Sequence, residues 1–354
     1  MSRRVRVVQW TTGKTGAAAV RGMVGHPIID LVGCYAYSPE KVGCDVGELC
    51  GIGSIGILAT DDVEALLALR PDCVCYSAQG EAMDAAAVPD MARMLEAGIN
   101  VVTVSTPGLV HPPGYQADWR EQLGAAAARG SATLYASGIE PGFAGDQLPL
   151  TLMTMSDTIT SVRTQEIFLY DEYPVAFVMF EVFGFGKPME HQAIMAMPGV
   201  QSGTWGPPVR MIADRLGVEL DEIRETYEKV ETPRALEVAA GTIEAGTVGA
   251  VRFETIGVVN GRDAIIIEHI NRMASDLAPE WPTARRDGTY RIEIKGNPDL
   301  TCELTVGQPE TASDDGMVAT TMRLVNAIPY VCDAPAGLTT SLDLPLTTPK
   351  FAFP

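Results

Sequence analysis

Over its first 150 positions the chain alternates short apolar runs with stretches whose apolar residues recur at helical spacing. The runs VRVVQW (5–10), IDLVGCYA (29–36), GILAT (56–60), DCVCYS (72–77), NVVTVS (100–105) and ATLYAS (132–137) have the length of strands. Between them, AAAVRGMVG (17–25), DVEALLALR (62–70), AVPDMARMLEAG (87–98) and QADWREQLGAAAARG (116–130) carry the helical period. Strands that alternate with helices make a parallel sheet, because parallel neighbours need long crossovers. Right-handed crossovers then give a doubly wound sheet.

Beyond residue 150 the pattern changes. ITSVRTQEIFLY (159–170), VGAVRFETIGVVNG (248–261), AIIIEHINRMA (264–274), TYRIEIKG (289–296) and TCELTVG (301–307) read as longer strands. Asn260-Gly261 between apolar runs is a hairpin signal, and GNPDL (296–300) is a second turn. GPPVRMIADRLGV followed by DEIRETYEKV, over 206–230, reads as helix. The expected organisation is a dinucleotide-binding domain over 1–150 and a substrate and dimerisation α+β domain over 151–315, mostly antiparallel. A C-terminal helix and extended tail over 316–354 would pack back on the first domain.

Composition narrows the class. A net charge of −19 argues against nucleic acid or an anionic membrane as the main partner. No apolar run reaches the roughly 18 residues of a membrane span, so the expected location is cytoplasmic. The seven cysteines form no C-x-x-C pair and the four histidines are scattered, so no metal site is expected. Cys73 and Cys75 lie on one face of a strand, as small buried residues.

The chemistry begins at Thr11-Thr12-Gly13-Lys14-Thr15-Gly16. It keeps two glycines of the G-x-G-x-x-G turn that holds a dinucleotide pyrophosphate and replaces the first by Thr11. Either Thr11 turns with negative φ, or the turn has another shape. The spacing alone also fits an ordinary strand-to-helix turn. Its place at the first strand of a parallel sheet favours a Rossmann-type phosphate site. After the second strand, CYAYSPEK offers Ser38 and Lys41 where a ribose-binding carboxylate would stand, which suits NADP better than NAD. Ser77, Ser105 and Thr106, at the ends of the fourth and fifth strands, complete the expected cofactor set.

VVQWTTGKTG, SPEKVGCDVGELCG (38–51), SGIEPGFAGDQLPLTL (137–152), HINRMASDLAPEWP (269–282) and MRLVNAIPYVCDAPAGLTTSLDLP (322–345) together resemble the dihydrodipicolinate-reductase-like oxidoreductases. Within them the resemblance is to 2,4-diaminopentanoate dehydrogenase and the native amine dehydrogenases. It implies a Rossmann domain, a C-terminal α/β domain, a nicotinamide cofactor, a homodimer, and hydride transfer to a C=N or C=O carbon. Two departures matter. The His-His and Lys motif of true dihydrodipicolinate reductases has no match. The glutamate that amine-forming members place after the fifth strand is replaced by Thr106-Pro107-Gly108.

Hydride transfer needs positioning and one group that polarises or protonates the acceptor. Candidates at strand ends are Glu140, which could equally be a helix-start carboxylate, and His111, which could equally cap a turn. In the second domain Glu268 and His269 must point to opposite faces of a strand, and Arg272 could pair a substrate carboxylate. Aromatic residues over 177–188 and Trp205 line a pocket or fill a core. The expected activity is reduction of a small, fairly apolar carbonyl or imine. The alternative is a non-catalytic NAD(P)-binding sensor or subunit.

Overall fold

The computed structural model describes residues 4–78, 83–308 and 311–350. The chain forms two units, one from residues 1–143 and 317–354, the other from residues 144–316.

In the first unit the expected alternation is present. β1 (Val5–Trp10) leads to α1 (Lys14–Met23), then β2 (Ile29–Tyr35), α2 (Val46–Leu49), β3 (Ala59–Thr60), α3 (Val63–Ala68) and β4 (Cys73–Tyr76). α4 (Met83–Glu96), β5 (Asn100–Thr103), α5 (Ala117–Gly130) and β6 (Thr133–Ala136) follow. The sheet order is β15-β6-β5-β4-β1-β2-β3, with every neighbouring pair parallel, and β15 (Gly337–Thr339) comes from the C-terminal segment. The chain starts at β1 in mid-sheet, runs outward to β3, and returns to β4 on β1's other side. That reversal is where doubly wound sheets bind ligands, outside the carboxyl ends of their strands.

Both faces of this sheet are covered, so its strands are apolar throughout. Val7 on one face joins Val20 and Met23 of α1 and Leu324, Val325 and Ile328 of α9 (Ala312–Cys332). Val8 and Trp10 on the other face join Met91 and Leu95 of α4 and Leu123 of α5. Each fully buried aliphatic side chain contributes roughly 1.5–3 kcal/mol. Cys73 and Cys75 are buried thiols among them, and all seven cysteines are free.

The second unit holds α6 (Leu148–Met153), β7 (Thr158–Leu169), α7 (Val200–Thr204) and α8 (Gly206–Leu216). After these come β8 (Glu222–Glu231), β9 (Leu236–Val238), β10 (Gly241–Ile243), β11 (Val248–Val259), β12 (Arg262–Arg272), β13 (Thr289–Asn297) and β14 (Leu300–Thr305). Its main sheet has the order β14-β13-β7-β12-β11-β8 and is antiparallel except between β7 and β12. Asn260 and Gly261 both have positive φ, the geometry of a tight hairpin turn.

Residues 222–231 are strand, not helix. Their charges suggested a solvated helix, but Ile223, Thr226, Tyr227 and Val230 have bulky or β-branched side chains suited to a strand, and β8 is an edge strand whose charges face water. The C-terminal helix begins at Ala312, earlier than its apolar pattern indicates, and the extended end beyond residue 350 lies outside the described residues. Among the described residues no helix is long and apolar enough to cross a membrane.

Candidate functional site

The turn after β1 departs from the expectation of a negative φ at Thr11. Its φ is +76°, so a β-branched residue takes the conformation that glycine normally supplies. Such a conformation costs roughly 1–3 kcal/mol and must be held by its surroundings. The Thr11 N–H donates to the Tyr35 carbonyl at 3.0 Å, and the Thr11 carbonyl accepts from Gln9 Nε2 at 3.1 Å. Its hydroxyl donates to the Ser77 carbonyl at 3.4 Å. Gln9, fully buried beneath the turn, also donates to Ser77 Oγ at 2.8 Å. Gln9 was not anticipated; the available signal was an amide inside an otherwise apolar strand.

The two glycines do different work. A Cβ on Gly16 would stand 2.1 Å from the Thr11 carbonyl oxygen, so only glycine lets the helix start lie against the turn. A Cβ on Gly13 would meet nothing within 4 Å, so the turn is open on that side. α1 begins at Lys14 with no side-chain cap bond and no acidic residue in its first turn. Its first N–H groups and positive dipole end therefore suit an anion. Thr12 is buried with its Oγ1 lacking a hydrogen-bond partner, while Gly13 and Lys14 are exposed. Backbone room, an uncapped helix start and an unsatisfied hydroxyl are what a dinucleotide pyrophosphate requires.

Neighbouring strand ends bring up further expected residues. Ser77 follows β4 and donates to the Trp10 carbonyl through both N–H and Oγ. Ser105 and Thr106 follow β5 and are buried, and Thr106 Oγ1 has no partner. Ser38 and Lys41 occupy one turn after β2, joined by a Lys41 N–H to Ser38 carbonyl bond of 2.9 Å. Beneath that turn Trp10 stacks on Tyr35 at 4.2 Å, and the Tyr37 and Tyr76 hydroxyls both donate to Asp90 at 3.0 Å. The adjoining acidic loop is organised by Asp45, which accepts from the N–H groups of Gly47, Glu48, Ile55 and Gly56.

His111 is buried after the short helical turn Pro107–Val110. Glu140 is half-buried, with extended backbone at φ −154° and a cis bond to Pro141. It therefore does not sit as a regular helix-start residue.

In the second unit, Glu268 and His269 do face opposite ways. Glu268 has no exposed surface and lies in a row of polar side chains that crosses the sheet from Thr226 through Glu254 and Gln165 to Arg291. Arg163 pairs with it, Arg252 Nε lies at 2.6 Å and Gln165 Nε2 donates at 2.8 Å. Burial pushes its carboxyl up, but Arg163, Gln165 and Arg252 together hold it below the usual range. Arg272 is committed elsewhere: it donates to the carbonyls of Leu277, Ala278, Trp281 and Pro282 and fastens the loop after β12. The expectation that it pairs a substrate carboxylate is therefore corrected.

On the other face His269 Nδ1 lies 3.3 Å from Glu166, which also accepts from Tyr170 at 2.6 Å and Asn271 at 3.3 Å. Phe253 stacks on His269 at 4.6 Å and Trp205 lies at 4.5 Å. Of the aromatic residues singled out, Phe183, Phe185 and Trp205 are core, whereas Phe177 is 45% exposed. Glu166 escaped notice because nothing in the sequence pairs β7 with β12.

A parallel sheet with an open turn and an uncapped helix at its reversal point is the architecture of dinucleotide-binding proteins, and the comparisons with known proteins give the class. Residues 143–351 match the 2,4-diaminopentanoate dehydrogenase C-terminal domain family. An amine dehydrogenase of Streptomyces virginiae is 38% identical over 352 residues, covering 97% of this chain and 96% of that protein. The 2,4-diaminopentanoate dehydrogenase of Acetoanaerobium sticklandii is 25% identical over 260 residues, 72% of this chain and 68% of the relative. The solved amine dehydrogenase of Mycobacterium smegmatis shares the fold, with a TM-score of 0.79, 22% identity and 98% coverage of both chains. This chain belongs to the amine dehydrogenase and 2,4-diaminopentanoate dehydrogenase family, and it is an enzyme of the oxidoreductase class.

Proposed function

We propose that the chain reduces a C=N or C=O carbon of a small, fairly apolar substrate with NAD(P)H. The observation that carries this reading is the Thr11–Gly16 turn, open at Gly13 and closed at Gly16, before an uncapped helix. Thr11, Thr12, Gly13, Lys14, Thr15 and Gly16 would hold the pyrophosphate, with Ser77, Ser105 and Thr106 on the adjoining strand ends. The bound nicotinamide would supply the hydride. Ser38 and Lys41 favour NADP over NAD: no carboxylate follows β2 directly, and the Lys41 ammonium forms no ion pair among the described residues. Glu140 and His111 are the proton-handling candidates of the first unit. The family resemblance further supports a homodimer.

The Thr106-Pro107-Gly108 stretch has no acid with which to activate ammonia, which favours carbonyl or preformed-imine substrates for this loop. The test is NADPH and NADH oxidation over a panel of ketones, aldehydes and cyclic imines, with and without ammonium. The reading expects turnover faster with NADPH, reduced by E140Q or H111Q. Cofactor binding without turnover across the panel would favour the sensor alternative, and loss of turnover in neither variant would remove both proton-handling assignments.

A further inference from the structure

From residue 317 on, the C-terminal segment belongs to the first unit, yet residues 144–316 of the second unit separate it in sequence from the rest. Non-covalent contacts hold it to the parallel sheet. Leu324, Val325, Ile328 and Val331 of α9 join Val7, Val102 and Tyr135 of the strands in one apolar cluster. Beyond the helix, Thr133 Oγ1 donates to the carbonyls of Ala334 at 3.4 Å and Pro335 at 3.0 Å, and β15 pairs with β6.

Two thiols meet where the helix ends. Cys73 opens β4 and is fully buried in that cluster. Cys332 ends α9, packs against the same cluster and keeps part of its surface in solvent. Cys332 Sγ lies 3.8 Å from the carbonyl oxygen of Asp72, the residue just before Cys73 and 260 positions away in the chain. Cys73 Sγ lies 3.6 Å from the Val74 carbonyl oxygen, and the two thiols share a hydrogen bond. They have only to close the gap between a thiol contact and an S–S bond of about 2.05 Å.

Their surroundings give them different roles. Burial, with Cys332 and Cys75 beside it, pushes the Cys73 thiol well up against an N–H bond from Val102, so it stays protonated and out of reach of dissolved oxidants. Cys332 has solvent access and meets an oxidant first. Hydrogen peroxide would transfer one oxygen to Cys332 Sγ, giving a sulfenic acid and water. Cys73 Sγ would then displace the sulfenic hydroxyl, and the Cys73 proton would leave with that hydroxyl as a second water. Two thiols are oxidised to one disulfide and one peroxide is reduced to two waters. A dithiol reverses the bond by exchange. Because the joined residues are far apart in sequence, the cross-link restricts the unfolded chain strongly.

We propose that Cys73 and Cys332 form a reversible redox staple, in which a hydroperoxide joins the end of α9 to β4 and ties the C-terminal segment to the sheet. The staple lies at the amino end of β4, whereas the Thr11–Gly16 turn follows the carboxyl end of β1, so it stands apart from cofactor binding.

The test adds a small excess of hydrogen peroxide to the reduced full-length protein. Alkylation in urea, digestion and mass spectrometry without reductant then map the thiols. The expected product is a peptide pair joined through Cys73 and Cys332, lost on adding dithiothreitol, absent in C332S and retained in C50S. The joined protein should melt about 5 °C or more above the reduced form, and C332S should show no such difference. Three results would overturn the proposal: Cys332 carried to a sulfenic or sulfinic acid while Cys73 alkylates as a free thiol, a cross-link between other cysteines, or equal melting of joined and reduced protein. The wild-type peptide map decides the pairing even if C332S fails to fold.

Discussion

Glu268 and Glu166 lie on neighbouring strands of one sheet and face opposite ways, and their surroundings differ in kind. Glu268 is the more deeply buried, yet Arg163 and Arg252 account for its charge. Glu166 is surrounded by aromatic rings and has only His269 as a charged or chargeable pair. Burial of a charge therefore does not mark a site by itself. Each is compensated in its own way, Glu268 by guanidinium groups and Glu166 by His269 with donors from Tyr170 and Asn271. The β1 turn repeats the lesson in backbone terms, since Thr11 takes a conformation that favours glycine and is held there by Gln9, Tyr35 and Ser77. Places that break a local rule while their neighbours obey it are where function concentrates.

The largest effect is expected at the turn. G16A places a carbon 2.1 Å from the Thr11 carbonyl oxygen, a main-chain atom that cannot yield cheaply. Overpacking of this kind costs about 1–3 kcal/mol, and NADPH binding should fall about a hundredfold or more in calorimetry.

Next comes the contrast between the carboxylates. E268Q removes one of the two carboxylates that Arg163 and Arg252 share and leaves Glu254, which should lower stability by about 2 kcal/mol in urea unfolding; the remaining carboxylate and the partial exposure of both arginines keep it below the fully buried case. E166Q should cost less, because it takes a carboxylate from no arginine. An equal loss in both variants would erase the distinction between the two faces.

A smaller effect depends on pH. Burial, with Asp171 and Glu166 nearby, pushes Asp287 up to about 6 from its ordinary 3.8, against N–H bonds from Leu169 and Gly288. The folded-state value is the higher one, so the protonated group's contribution is fully present below pH 3.8 and is lost as pH rises through about 6. D287N should remove this part of the decline in melting temperature between those limits.

The smallest effect is T11G. Relief of the positive φ should stabilise the protein by about 1 kcal/mol in chemical denaturation, less whatever the weak hydroxyl bond to Ser77 contributes.

Much of the first unit was legible because each strand announces itself by composition and each crossover by period, and the turn at residues 11–16 follows directly. β8 was not, because an edge strand can carry as many charges as a solvated helix. Arg272 was misjudged because its carbonyl partners come from a loop of no distinctive pattern. Glu166 and His269 are 103 residues apart, and only the parallel pairing of β7 with β12 sets them side by side. Local signals carry the sites built within one turn; sites built across strands need the register.

The central claim is that residues 11–16 bind a nicotinamide dinucleotide. Calorimetric titration of the purified full-length protein with NADPH and with NADH tests it most directly. Saturable one-site binding is expected, tighter for NADPH, weakened by added salt and about a hundredfold or more weaker in G16A. No heat with either nucleotide, or binding that G16A leaves intact, would contradict it.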